Sequence, residues 1–226
     1  MSSTPDPATP AASGASAGGG SAFPGEPTIE IPVPSGEVRL LADIQRRLLQ
    51  VPGSRETAVT LSHVGEHALG WMAVAGAGMV LDPARRGRWA MVGVGTFGAH
   101  ATSVVVKRIV RRRRPAHPSV TVGVATPSTL SFPSSHATST TAFALLAGSV
   151  TGVPVAAGLV PVMLASRLVL GVHYPSDVLA GATVGAGCAA LTRAVWPTVA
   201  VQRLLPEALR EAEPAAGSTE DPEEKR

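Results

Sequence analysis

The chain has 226 residues and a formal net charge of +3, with 45% hydrophobic, 15% charged and only 4% aromatic residues. A soluble domain carries roughly a quarter charged residues, whereas between Thr57 and Ala200 the only acidic residues are Glu66, Asp82 and Asp177. The composition therefore excludes an ordinary soluble domain and points to several membrane spans, while the single cysteine, Cys188, excludes a disulfide framework.

Residues 1–36 are rich in Ala, Ser, Gly, Pro and Thr without apolar periodicity, which predicts a disordered tail. It lacks the early basic and apolar regions of a secretory signal. Residues 37–56 contain Val38 to Val51, with apolar residues at roughly helical spacing and Arg39, Arg46 and Arg47 on the other face. This predicts an amphipathic helix on the membrane surface, with a soluble connecting helix as the alternative. Residues 57–200 are expected to form the membrane domain, an all-α polytopic bundle of about five spanning helices. The candidate segments are 57–81, 88–107, 136–152, 154–172 and 177–196. The third carries Thr138, Ser139, Thr140 and Thr141, so it should face protein or a cavity rather than lipid. Residues 201–226 read as a charged, mobile tail.

These spans sort the connections. The 82–87 loop and the turn between the third and fourth spans fall on one side. The 108–135 loop, the 173–176 turn and the N-terminus fall on the other, which gathers most of the polar chemistry on one face. Lys and Arg flank both faces with a modest excess on the polar one, so the positive-inside rule favours a cytoplasmic active face in the plasma membrane. The basic run Lys107, Arg108 and 111–114 is flanked by apolar segments and has no interleaved aromatics. It suits lipid headgroups better than nucleic acid.

Three segments on that face carry the chemistry: KRIVRRRRP from Lys107, SFPSSH ending at His136, and SRLVLGVHYPSD from Ser166 to Asp177. Lys107, Arg114 and Arg167 supply cations suited to phosphate oxygens. Pro133-Ser134-Ser135 leads into a helix beginning near His136, whose N-terminal N–H groups suit an anion. Asp177, four residues after His173, can hold one imidazole N–H and leave the other nitrogen free to attack. His136 remains to protonate a leaving oxygen. This set can cleave a phosphoester with no cofactor and no metal.

The order Lys107-x6-Arg114-Pro115, Pro133-Ser134-Ser135-His136, Ser166-Arg167-x5-His173-x3-Asp177 resembles the three-part signature of the type-2 phosphatidic acid phosphatase superfamily. The resemblance implies that His173 is the nucleophile, Asp177 orients it and His136 protonates the leaving group. It further implies that Lys107, Arg114, Ser134, the Ser135 N–H and Arg167 hold the phosphoryl oxygens. Ser135 stands where the family usually has Gly, which would cost energy if that position needs φ > 0. The remaining arginines of the run, Arg108, Arg111, Arg112 and Arg113, are expected to be a solvated positive loop. The stretches SFPSSHATSTTAF, SRLVLGVHYPSDVLAG and HVGEHALGW are similar to the actinobacterial branch of the family. This likeness implies hydrolysis of a polyprenyl phosphoribose, decaprenylphosphoryl-5-phosphoribose, in supply of the arabinose donor of the cell wall.

His63-x-x-Glu66-His67 also matches the inverted zincin pattern, but no Glu follows until Glu207 to complete a metal set. Two expectations remain: a purely structural role, or that His63, Glu66 and His67 line a substrate cavity and bind sugar hydroxyls. His100, seven residues before Lys107 on nearly the same face of the second span, either joins that cavity or is a buried hydrogen-bonding residue. His117 and Cys188 read as incidental. The best reading is an integral-membrane lipid phosphatase. A binder of lipid phosphates would need the cations but not the two imidazoles and their carboxylate. A vanadate-binding haloperoxidase, which shares the constellation, would not need the apolar spans.

Overall fold

The structure, a computed structural model, describes residues 36–196. The expected tails, residues 1–35 and 201–226, lie outside it, as do the last residues of the expected membrane domain. The described residues form seven α-helices, and no strand occurs among them. They are α1 (Gly36–Leu48), α2 (Ser54–Val64), α3 (Leu69–Leu81), α4 (Arg86–Val110), α5 (Ser135–Thr151), α6 (Val155–Val169) and α7 (Pro175–Val195).

All five expected apolar segments are helical, with one break. The first is two helices bent by 53° at a 3-10 turn, Glu66–Ala68. His67 (φ 50°) and Ala68 (φ 61°) sit there in the left-handed region, which non-glycine residues rarely adopt. By length and composition, α4 with its preceding turn (Pro83–Val110) and α7 can each cross a membrane, and the bent pair makes a third. Helix α6, at 15 residues, reaches only ~22 Å, short of the ~30 Å hydrocarbon thickness.

Helix α5 is the centre of the bundle. Its hydroxyl run, Thr138 to Thr141, is buried as expected. The Thr138 and Ser139 hydroxyls donate to the carbonyls of Ser134 and Ser135 at 2.9 and 3.0 Å, so they need no outside partner. Helix α7 presses against α5 through Gly181 and Gly185. A Cβ at Gly181 would stand 2.7 Å from the Ser134 carbonyl, and one at Gly185 would run into that of Thr138. These absent side chains permit the close approach. On the other flank Trp71 of α3 stacks on Phe143 at 4.9 Å and donates to the Thr140 hydroxyl at 3.0 Å.

The bundle has two chemically distinct ends. At one, Arg85 donates to the Val150 carbonyl at 2.8 Å and pairs with Asp82, joining the α3–α4 turn to the end of α5. This is the pairing of connections that the span order predicts. At the other end lie the last turn of α4, the heads of α5 and α7, and the end of α6. The long α4–α5 connection folds across this end. The bonds Arg114 N–H to Thr129 O (3.2 Å), Ser131 N–H to Arg112 O (2.7 Å) and Gly123 N–H to Leu170 O (2.9 Å) hold it there.

Candidate active site

Helix termini deliver most of the site. Helix α4 stops at Arg111, whose backbone turns left-handed (φ 54°), so Lys107 occupies its last turn. The Lys107 ammonium is buried and donates to the carbonyls of Pro133 (2.6 Å) and Ser131 (3.2 Å), fixing the loop that enters α5. Beyond Arg111 the chain is extended, with Arg113 bridged to Leu130. Alternation then sends Arg112 and Arg114 to one side. Arg114 donates to Ser128 O (2.8 Å) and Val172 O (2.7 Å) and lies 3.3 Å from His173 Nε2.

Helix α7 opens with Tyr174 as its N-cap, Pro175 in its first turn and Asp177 reaching back to the Tyr174 N–H. Asp177 is fully buried. Its Oδ2 accepts the Tyr174 N–H at 2.8 Å and its Oδ1 accepts from Arg112 at 2.9 Å. His173 Nδ1 stands 3.6 Å from Oδ2, close enough for ionic attraction but longer than a formed hydrogen bond. The neighbours decide the tautomer. A guanidinium only donates, so His173 Nε2 beside Arg114 is the unprotonated nitrogen and the proton sits on Nδ1, toward Asp177. Burial pushes the His173 imidazole down, to about 3, so the ring is neutral at physiological pH.

Ser134 caps α5. Its hydroxyl accepts the Ala137 N–H and its own N–H goes to the Asp177 carbonyl at 3.0 Å, which locks the heads of α5 and α7 together. The N–H groups of Ser135 and His136 are given no acceptor among the described residues, so they present the positive end of α5. Ser135 is helical and is not among the residues with positive φ, so serine in place of glycine brings no backbone strain. Its hydroxyl accepts from Ser103 at 2.8 Å. His136 Nε2 lies 2.9 Å from the Ser62 carbonyl. A carbonyl only accepts, so Nε2 carries a proton and Nδ1 is the nitrogen left to exchange one. Arg167, 2% exposed, donates to the Ser62 hydroxyl (3.1 Å) and the Ala58 carbonyl (3.3 Å). Gly65 makes room for this arrangement, because a Cβ there would stand 2.6 Å from the His136 ring.

One cavity of about 330 Å³ unites these groups. Lys107, Arg114, Ser135, His136, Arg167 and His173 line it, and so do His63, Glu66, His67 and His100. Ser134 and Asp177 do not line it and stand behind it. One sequence expectation is corrected, and a pattern already set aside also fails on geometry. Arg112, read as a solvated headgroup contact, is bound to Asp177 and to Glu37 (2.6 Å), and Arg108 lines the cavity. The zincin reading fails on geometry: it needs His63 and His67 one turn apart on a continuous helix, and the chain breaks between them. Sequence reasoning missed Ser62, Ser103, Arg112 and Glu37. Only Arg112 carried a signal, its two-residue spacing from Arg114.

Chemically, the arrangement offers a neutral imidazole with its free nitrogen among three cations, a second imidazole across the cavity, and a helix head for an anion. It can transfer a phosphoryl group. Comparison with known proteins agrees. The PAP2 superfamily model matches residues 88–200. The decaprenylphosphoryl-5-phosphoribose phosphatase of Mycobacterium tuberculosis is 52% identical over 162 residues, covering 72% of this chain and 92% of that protein. The protein of the same name from Mycolicibacterium smegmatis is 57% identical over 148 residues, covering 66% of this chain and 82% of that one. Among solved structures, the transmembrane PAP2-type phosphatidylglycerolphosphate phosphatase of Bacillus subtilis shares the fold. Its TM-score is 0.57 at 20% identity, over 73% of this chain and 89% of that one. The chain belongs to the PAP2 superfamily, as a membrane phosphatase.

Proposed function

We propose that the substrate is a polyprenyl phosphoribose, decaprenylphosphoryl-5-phosphoribose in particular, and that hydrolysis proceeds through a phosphohistidine on His173. One observation carries the substrate reading. The cavity that holds the phosphate-binding cations continues to His63, Glu66, His67 and His100. A carboxylate near a phosphate site opposes the binding of a simple lipid phosphate, but it suits ribose hydroxyls, which donate to it. The names of the mycobacterial relatives support the same choice.

In the reaction, Lys107, Arg114 and Arg167 hold the phosphoryl oxygens together with the N–H groups at the head of α5. His173 Nε2 attacks phosphorus as the bond to the ribose 5-oxygen breaks. His136 enters this step as the imidazolium, beside the anionic phosphate, and gives its Nδ1 proton to that oxygen, while its Nε2–H stays bonded to the Ser62 carbonyl. Asp177 stabilises the charge that develops on His173. Water then attacks the phosphohistidine, losing its proton to His136, and the P–N bond breaks to release inorganic phosphate and a neutral His173. No step requires a metal. The active face is assigned to the cytoplasmic side of the plasma membrane on the distribution of Arg and Lys.

The experiment is phosphate release by purified protein from polyprenyl phosphoribose, phosphatidate and phosphatidylglycerolphosphate, each with chelator present. Preference for the sugar lipid and an acid-labile phosphoenzyme that disappears in His173→Ala are expected. A preference for phosphatidate, or full activity in His173→Ala, refutes the reading.

A further inference from the structure

Helix α1 precedes the apolar segments, and the reaction above does not use it. Its side chains nevertheless reach residues 75 to 139 positions away on the catalytic face. Gln45, 4% exposed, donates to the carbonyls of Thr121 (2.7 Å) and Val169 (2.9 Å) and accepts the Thr121 N–H (3.0 Å). Val38 and Leu41 pack with Val120, Ala137, Leu168 and Val178. The helix is thereby docked on the protein, with its first turn over the head of α7. There Glu37 Oε1 accepts from the Ser176 N–H (3.0 Å) and hydroxyl, and Oε2 accepts from Arg112 Nη2 at 2.6 Å. The other nitrogen of that guanidinium, Nη1, donates to Asp177 Oδ1 at 2.9 Å, and the group lies 4.0 Å over the Tyr174 ring. Burial works upward on the Glu37 carboxyl, but the hydrogen bonds from Ser176 and Arg112 outweigh it and hold it below the usual carboxylate range.

This geometry has a consequence for Asp177. Arg112 occupies Oδ1, which leaves Oδ2 for the Tyr174 N–H and for His173. If Glu37 did not hold Nη2, that nitrogen could join Nη1, whose second N–H goes to the Ser176 hydroxyl at 2.6 Å, on one carboxylate. Arginine and carboxylate then favour two parallel bonds, and Oδ2 would turn from His173 toward Arg112. We propose that Glu37 is a positioning residue: it divides the Arg112 guanidinium between two carboxylates, so that Asp177 keeps one oxygen directed at His173. Helix α1 is then part of the catalytic apparatus and not only a surface element. This rests on the roles given to His173 and Asp177 above.

The test uses full-length protein in detergent micelles and measures kcat, KM and the thermal midpoint. Glu37→Gln keeps the shape and removes the charge. It is expected to lower kcat about tenfold with KM within about twofold and the midpoint within about 2 °C. A merely structural contact would lower the midpoint and leave kcat per folded molecule unchanged, which overturns the proposal. Arg112→Lys, which removes the fork, should lose kcat similarly, and the double variant should lose less than the product of the two. Multiplying losses overturn the proposal. Arg46→Ala, which breaks only the exposed pair with Asp43 on the same helix, should match the parent protein. If Glu37→Gln fails to fold, Arg112→Lys decides, and wild-type kcat in it overturns the proposal. His173→Ala separates the two levels. Activity there refutes the catalytic assignment itself. Inactivity there with full kcat in Glu37→Gln refutes only the role of Glu37.

Discussion

Replacing Asp177 with Asn changes one atom and tests the whole reading of His173. All three groups around the carboxylate are donors: the Tyr174 N–H (2.8 Å), Arg112 (2.9 Å) and the Nδ1–H of His173 (3.6 Å). An amide must turn its NH2 toward one of them. Facing Arg112, it sets donor against donor and strips the guanidinium of a charged partner. Facing His173, it requires a lone pair on Nδ1, which moves the ring proton to Nε2 and blocks the attacking nitrogen. The charge is lost in either case. As His173 attacks, its ring becomes cationic 3.6 Å from the carboxylate, with both groups nearly free of solvent. At an effective dielectric of about 20 that attraction is about 4–5 kcal/mol. With about 1 kcal/mol for restoring the tautomer, the expected loss in kcat is on the order of 10⁴-fold. Single-turnover phosphate release from polyprenyl phosphoribose measures it, with phosphoenzyme trapped in parallel. A loss smaller than about tenfold would mean that Asp177 neither sets the tautomer nor stabilises the cation.

Three further outcomes are expected. Glu66→Gln should lower kcat/KM for polyprenyl phosphoribose by about fivefold, since a charged hydrogen bond to a half-exposed group (48%) is worth ~1 kcal/mol after screening. It should leave phosphatidate hydrolysis unchanged or faster, and equal losses on both lipids would make Glu66 structural. Stability should fall on acidification. The unfolded chain protonates His173 below about 6.5 and the folded chain only near 3, so between these values the unfolded state holds more protons. By pH 5 the loss from this group reaches ~2 kcal/mol, and His173→Gln should show a shallower dependence of thermal midpoint on pH than the parent; parallel curves refute it. Gly185→Ala should cost ~1–3 kcal/mol because its Cβ meets the Thr138 backbone rather than a movable side chain, and an unchanged midpoint in detergent would show that α7 can slide on α5.

The helices were legible because their signals are local. Apolar runs, the Ser134 cap, Pro175 at the head of α7 and Gly152 after α5 mark the segments within a few residues. The hydroxyl run of α5 also declared its burial, since threonine and serine can return their hydrogen bonds to their own helix. The break in the first span was not legible. Nothing in Gly65-Glu66-His67-Ala68 forbids a continuous helix, and the two left-handed residues are neither Gly nor Asn. What accompanies the break is tertiary: the head of α5 brings the His136 ring against Gly65, and Ser62, one turn earlier, takes its N–H.

The site divides along the same line. The motif residues could be placed because each sits at, or within a few residues of, a helix end that the sequence marks, and the ends converge once the spans alternate. Arg112 could not be placed by treating the arginine run as a uniform charged loop. Helix α4 ends within that run, and the periodicity changes there from 3.6 to 2. From that point alternate residues face alternate sides, so Arg112 and Arg114 point together at Asp177 and His173 while Arg113 turns away to the Leu130 bridge. Glu37 carried no signal at all, because its partners are 75 and 139 residues distant. Both residues contact Asp177 or its helix head from the side away from the cavity, where a motif built on contact with phosphate does not extend. A sequence match therefore captures the groups that line the cavity and overlooks those that hold them from behind.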